Sequence, residues 1–200
     1  MSEQKSFPGF DLPPKPTDRL FFAILPEPSV ANRIVEFTQT LRLKYGLHGA
    51  PLPAAQLHIS LFNLGDYVGL PQNLLAAATS AVSRITQDAF AVRFDHVLTF
   101  RYPSSAGYPL VLSGEDGVSG VKTLHQDVTD TLSRIGLRGE SSFTPHLTLL
   151  YDNQKILKQA VDPFEWEVRE FVLLQRHIGQ RRPYSVLGKW PLRDPKSGVI

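Results

Sequence analysis

Cysteine is absent from the sequence. That excludes a thiol nucleophile, a disulfide framework and a thiolate metal site. No long uninterrupted apolar run occurs, so no segment reads as a transmembrane helix and no membrane contact is expected. The N-terminus is polar and proline-rich, without the apolar stretch of a signal peptide. Charge of one sign is also scarce. Lys and Arg number 21 against 19 Asp and Glu, giving a formal net charge of +2. This is too small to announce a nucleic-acid binder, although the sequence pI of 8.9 leans that way. Several catalytic signatures are missing as well. There is no His-Glu-x-x-His, and no carboxylate or third histidine at zinc-ligand spacing. The Gly-x-Ser-x-Gly elbow of a serine nucleophile is absent. So are the phosphate-binding glycine loops of the P-loop and dinucleotide types. What remains is an ordinary globular composition, enough for one domain or two small lobes sharing a core, and its expected setting is the cytoplasm.

Residues 1–18 carry Pro8, Gly9, Pro13, Pro14 and Pro16 and read as a flexible leader. The run Leu20-Phe21-Phe22-Ala23-Ile24-Leu25 reads as a buried strand ended by Pro26 and Pro28. A helix capped by Ser29 follows, with Val30, Ile34, Phe37, Leu41 and Tyr45 on one face. Gly46, Gly49, Pro51 and Pro53 break the chain before a strand at about 56–63, and Leu64-Gly65-Asp66 signals a turn. A second helix is expected over about 70–86, with Pro71 in its first turn and Leu74, Leu75, Ala78, Val82 and Ile85 facing inward. A strand from Phe90 pairs through a hairpin at 103–107 with another at 108–112. A third helix over about 118–137 presents Val121, Leu124, Val128, Leu132 and Ile135. Two further strands are expected at 166–175 and 184–190, joined by the loop 179–183, before a tail at 193–200. The single bilobal domain is therefore placed at 19–192. The mixed order of elements predicts an α+β fold with antiparallel or mixed sheets.

One pattern is written twice. Leu57-His58-Ile59-Ser60-Leu61 and Pro145-His146-Leu147-Thr148-Leu149 each set a histidine and a hydroxyl two residues apart in an apolar frame. On a strand, that spacing places imidazole and hydroxyl side by side on one face and the aliphatic residues on the other. The other histidines (His48, His96, His125 and His177) lack the frame. His125 falls in the third helix as a surface or packing residue, and His96 in a strand. The order strand, helix, histidine strand occurs in both halves. It predicts two pseudo-symmetric lobes, each a mostly antiparallel sheet with helices, with an active-site cleft between them.

Two facing histidines suit acid–base catalysis, because imidazole titrates near neutral pH. A neutral ring takes a proton from the nucleophile and a protonated ring gives one to the leaving oxygen. In-line displacement at phosphorus needs these agents on opposite sides of the phosphate. The hydroxyls of Ser60 and Thr148 then face the non-bridging oxygens. The arrangement calls for no metal and no cofactor.

These residues resemble the two-histidine (2H) phosphoesterases, and within them the RNA 2',3'-cyclic phosphodiesterases, also named 2'-5' RNA ligases. The likeness extends to Arg19-Leu20-Phe21-Phe22-Ala23-Ile24, to Phe143-Thr144 before the second motif, to Phe164-Glu165-Trp166 and Glu170-Phe171-Val172-Leu173, and to Tyr184 and Trp190. The resemblance implies a bilobal fold and hydrolysis of a 2',3'-cyclic phosphate on an RNA end or a small nucleotide. It implies His58 as general acid and His146 as base, roles that pseudo-symmetry makes easy to exchange. Ser60 and Thr148 become phosphate ligands, and a monomer is expected. Where close members carry an arginine after the second motif, Tyr151 stands here, and Asn63 replaces an apolar or aromatic residue after the first. Arg176, Arg181 and Arg182 are candidates to supply the missing charge, and Tyr151 and Phe62 are candidates to stack on a base. The alternatives are the reverse reaction, 2'-5' ligation of RNA ends, and a non-catalytic module that binds RNA ends.

Overall fold

The computed structural model describes residues 14–101, 103–139, 142–180 and 182–194. The elements run β1 (Asp18–Ile24), α1 (Pro28–Tyr45), a 3₁₀ turn (Ala54–Gln56), β2 (Ile59–Tyr67), α2 (Gln72–Val82), β3 (Phe90–Thr99), β4 (Tyr108–Ser113), α3 (Ser119–Ser133), β5 (His146–Asp152), β6 (Gln159–Val168), β7 (Glu170–His177) and β8 (Ser185–Pro191). They form two four-stranded sheets, ordered β2-β1-β7-β8 and β5-β4-β3-β6. Every pairing between these strands is antiparallel. The fold is thus α+β with two lobes. The units β1-α1-β2 and β4-α3-β5 occupy equivalent places, with β7 beside β1 and β3 beside β4. Both motif strands are sheet edges, and β2 lies against β5. Among the described residues no helix is long and apolar enough to cross a membrane.

Local chemistry explains where the elements depart from expectation. Ser29 does not cap α1. Glu27 holds the N-cap position and Pro28, whose fixed φ suits the first turn, starts the helix. Gly46, at φ 62, ends it in the left-handed conformation. Helix α3 stops at Ser133, so Ile135 is 42% exposed while Val121, Leu124, Val128 and Leu132 are fully buried. Leu64-Gly65-Asp66 is not a turn. The register passes from Leu20 opposite Gly65 to Phe21 opposite Asn63, which makes Leu64 an extra residue in a continuing strand.

The segment expected as one strand at 166–175 is two. Strand β6 pairs with β3 in the second sheet and β7 pairs with β1 in the first, and Arg169 alone separates them. The start of β6 is masked in the sequence by Pro163. That residue is tolerated because β6 is an edge strand whose pairing is irregular there.

Both ends of the described chain are tied to the sheets. Asp18 belongs to β1 and is 5% exposed. Its carboxylate accepts from Thr17 Oγ1 at 2.5 Å and Gln175 Nε2 at 2.7 Å, and faces His177 Nδ1 at 3.1 Å. The Thr17 hydroxyl first, then the Gln175 amide, hold its pKa below the ordinary carboxylate value. Arg193 exchanges backbone hydrogen bonds with Gln87 and Ala89. The remaining leader and tail residues, 1–13 and 195–200, lie outside the described residues.

Helix α1 packs on the second sheet, with Phe37 against Phe164 and the Tyr45 hydroxyl donating to Gln159, and the loop after it stays on that sheet. The amides of His48 and Gly49 donate to Asp152 Oδ2 at 2.6 and 2.7 Å. Burial alone would raise the Asp152 pKa, but these amides and those of Gln154 and Asn153 bring it below the ordinary value. Glycine is required at 49 by approach: an added Cβ would meet the Tyr151 carbonyl oxygen at 2.0 Å. Gly49→Ala is therefore expected to lower stability by about 1–3 kcal/mol, read as a lower urea midpoint with an unchanged slope. An unchanged midpoint would mean that this loop does not hold the lobes.

Candidate active site

The two motif strands are each interrupted at the same place. Strict alternation from His58 would put Ser60 and Phe62 on its face. Instead Ala23 stands opposite Ser60 and Phe22 opposite Phe62, so Leu61 is an extra residue. Both Leu61 and Phe62 turn to the core, and exposed Asn63 returns to the Ser60 face. Phe62, at 4% exposure, packs in the core and does not offer a base its ring. In β5, Val111 stands opposite Thr148 and Leu110 opposite Leu150, which makes Leu149 the extra residue. Leu149 and Leu150 are both buried, and half-buried Tyr151 joins Thr148 and His146. Asn63 and Tyr151 are therefore equivalent positions. The apolar doublets Leu61-Phe62 and Leu149-Leu150 break the period of two and are the sequence signal for these bulges.

The histidines are held in matching ways. His58 stands just ahead of β2, and its Nδ1 lies 2.8 Å from the Gln56 carbonyl oxygen. His146 Nδ1 lies 2.8 Å from the Thr144 carbonyl oxygen. A carbonyl only accepts, so Nδ1 carries the proton in both rings and the basic lone pair of each neutral ring is on Nε2. The His58 ring sits 4.9 Å from Phe21 and 5.5 Å, edge-on, from Tyr184. The His146 ring sits 4.8 Å from Phe100. Burial pushes the His58 pKa from 6.5 down to about 4, opposed by the Gln56 carbonyl and aided by the charges of His146 and Arg176. His58 and His146 are near enough for the charge of one to act on the other.

Charge enters from the first lobe. On β1 and β7, Arg19 stands opposite Arg176, and on β2 it stands opposite Asp66. Arg19 makes a two-point pair with Asp66, Nε to Oδ1 at 2.7 Å and an Nη to Oδ2 at 2.8 Å. Arg176 is exposed, and its charge acts on His58, Asp66 and Tyr184. Burial pushes the Tyr184 hydroxyl pKa up, Arg176 and Arg19 oppose this, and Tyr151 of the second lobe adds to it. Tyr151 is thus near enough to Tyr184 and Arg19 for their charges to interact. Arg19 and Tyr184 were not picked out from the sequence as site residues. Their signal was alternation: Arg19, Phe21 and Ala23 share one face of β1, and Leu20, Phe22 and Ile24 the other. Arg182 is exposed on the β7–β8 loop, and Arg181 lies outside the described residues. Among the described residues no three of His, Asp and Glu converge as metal ligands.

With this geometry in place, relatives can be compared. Residues 26–180 match the family model described as the 2'-5' RNA ligase superfamily. No curated protein matches the sequence. Escherichia coli LigT complexed with 3'-AMP superposes with a TM-score of 0.71 at 24% identity, over 89% of this chain and 99% of that one. LigT complexed with ATP gives 0.69 at 24% identity, over 90% and 100%. TT0787 of Thermus thermophilus gives 0.68 at 23% identity, over 88% and 99%. At such identities these structures speak for the fold.

Burial of neutral His58 links stability to pH. The unfolded chain protonates this ring near 6.5 and the folded chain only near 4. The stability it contributes is complete above 6.5 and is lost as pH falls toward 4. The imidazole signals of His58 are expected to titrate near 4, and the urea midpoint should fall across that window more steeply than in His58→Asn. Equal slopes would place the ring in water.

Proposed function

Because the chain belongs to the 2'-5' RNA ligase superfamily, we propose that its cleft hydrolyses a 2',3'-cyclic phosphate on an RNA end or a small nucleotide, using His58 and His146 as an acid–base pair. The observation that carries this is the matched setting of the two imidazoles. Each has Nδ1 fixed on the carbonyl two residues before it, and the charge of one is felt by the other. LigT complexed with 3'-AMP and with ATP supports a nucleotide-like substrate.

The step balances as follows. Water loses a proton to one Nε2 and attacks phosphorus. The bond from phosphorus to one ribose oxygen breaks, and the opposite imidazolium protonates that oxygen. Ser60 and Thr148 hydroxyls donate to the non-bridging oxygens, where charge accumulates. Arg176 adds positive charge to the same cleft, in place of the arginine that Tyr151 displaces. Tyr151, near Tyr184, is in reach of the rest of the nucleotide.

The acid must hold a proton, yet burial first of all keeps His58 neutral at neutral pH. A bound phosphate anion favours the imidazolium. His58 then takes up a proton with the substrate and delivers it, while His146 serves as base.

The test is a panel of nucleoside 2',3'-cyclic phosphates and RNA ends, with and without EDTA, the products sorted into 2'- and 3'-phosphates. Activity is expected to survive chelation. His58→Ala and His146→Ala are each expected to lose about 10²–10⁴-fold in kcat. Full activity in either variant, or binding of every ligand with turnover of none, would overturn the proposal. Addition of 3'-AMP should raise the titration of His58; if it stays where it was, the acid and base exchange places. Incubation with RNA halves reads the reverse reaction, which uses the same groups.

A further inference from the structure

We propose that His125, on α3 of the second lobe, is a positioning residue that sets the two motif strands relative to each other. The proposal rests on the acid–base reading of the cleft. The bulge leaves the Leu61 carbonyl outside the regular ladder. His125 Nδ1 lies 2.7 Å from that oxygen, across 64 residues of sequence. The oxygen can only accept, so Nδ1 is the protonated nitrogen of this ring too. The same ring lies flat on Phe143, with centroids 3.8 Å apart and planes 11° apart. Phe143 is joined to Thr144, whose carbonyl orients His146. Leu61 is joined to Ser60. One imidazole therefore touches the residue after the first motif and a residue just before the second.

The helix under it is firm. Leu124 and Val128, on either side of His125, are fully buried in the core. The loop after α3 adds to the same junction: an added Cβ at Gly139 would lie 2.8 Å from the Phe62 ring. At the equivalent bulge of β5 the Leu149 carbonyl accepts from the Leu52 backbone amide at 2.8 Å. One fastening is made by main chain, and the other depends on a side chain that can be replaced. His125 touches neither His58 nor His146 in this scheme. It acts on the phase and height of β2, and through Phe143 on the approach to β5.

Three variants separate the contacts. His125→Asn keeps an N–H near the place of Nδ1 and loses the stack. His125→Phe keeps the stack and loses the donor. His125→Ala loses both. On a cyclic phosphate that the native protein opens, the Phe and Ala variants are expected to lose about 10–100-fold in kcat with KM little changed, while Asn, which keeps the donor and loses only the stack, loses less. The second readout needs no turnover: the His58 titration, followed by NMR on folded protein without ligand. It should shift in the Phe and Ala variants and stay put in Asn. Should the native protein open no cyclic phosphate, the functional reading fails and the titration alone decides. A folded His125→Phe with native kcat and a native His58 titration overturns the proposal. So does a loss of kcat in all three variants that follows their loss of thermal stability.

Discussion

An edge strand carries a row of backbone groups with no partner in its own sheet, and an inserted residue adds to that burden. Here both motif strands are edges, and both carry an insertion one residue after the hydroxyl. The insertions make the site what it is. They turn an apolar pair toward the core and bring the next polar or aromatic residue back to the cleft. They also leave Leu61 and Leu149 with carbonyls to satisfy, and each is satisfied from the opposite lobe. The lobes are thus joined where the chemistry is arranged, and their relative placement is a property of the strands that carry the histidines.

The electrostatics of the cleft follow from the same packing. Phe21 and Tyr184 close around His58. Burial is the larger influence on His58, and the positive charges of His146 and Arg176 work in the same direction. All three oppose the imidazolium, and the two charges, unlike burial, would also favour an anion beside the ring. Asp66 neutralises much of Arg19 through a two-point pair, so the uncommitted charge of this row is that of Arg176.

Much of this was legible in the residues because binary patterning carries it. Leu20, Phe22 and Ile24 alternating with Arg19, Phe21 and Ala23 specify a strand with two distinct faces. Val121, Leu124, Val128 and Leu132 specify a helix with one. The histidine motifs stand out because imidazole and hydroxyl share a face. What stayed hidden was long-range. Nothing local to Arg169 says that the chain changes sheets there. His125 looks like any helical histidine until Leu61, 64 residues earlier, is brought beneath it. Phe62 is an aromatic residue at a strand end, where a ring can stack on a base or pack, and it packs. The doublet of apolar residues is the signal for this, and it is visible in both motifs.

The pseudo-symmetry is close in backbone and broken in side chains, and the breaks fall on the cleft. Equivalent positions hold Ser60 and Thr148, Asn63 and Tyr151, Ala23 and Val111. The first lobe brings two arginines to its wall on β1 and β7. The position of the second lobe equivalent to Arg19 is Gly107, just ahead of β4. On the proposed reading, a phosphate between the imidazoles would meet unlike walls, with arginines on the first lobe and Tyr151 on the second. Two imidazoles in identical surroundings would have no reason to divide the tasks of acid and base. On the proposed acid–base reading, the division of labour falls to the neighbours, and the charge of Arg176 would draw the charged end of a nucleotide toward the first lobe.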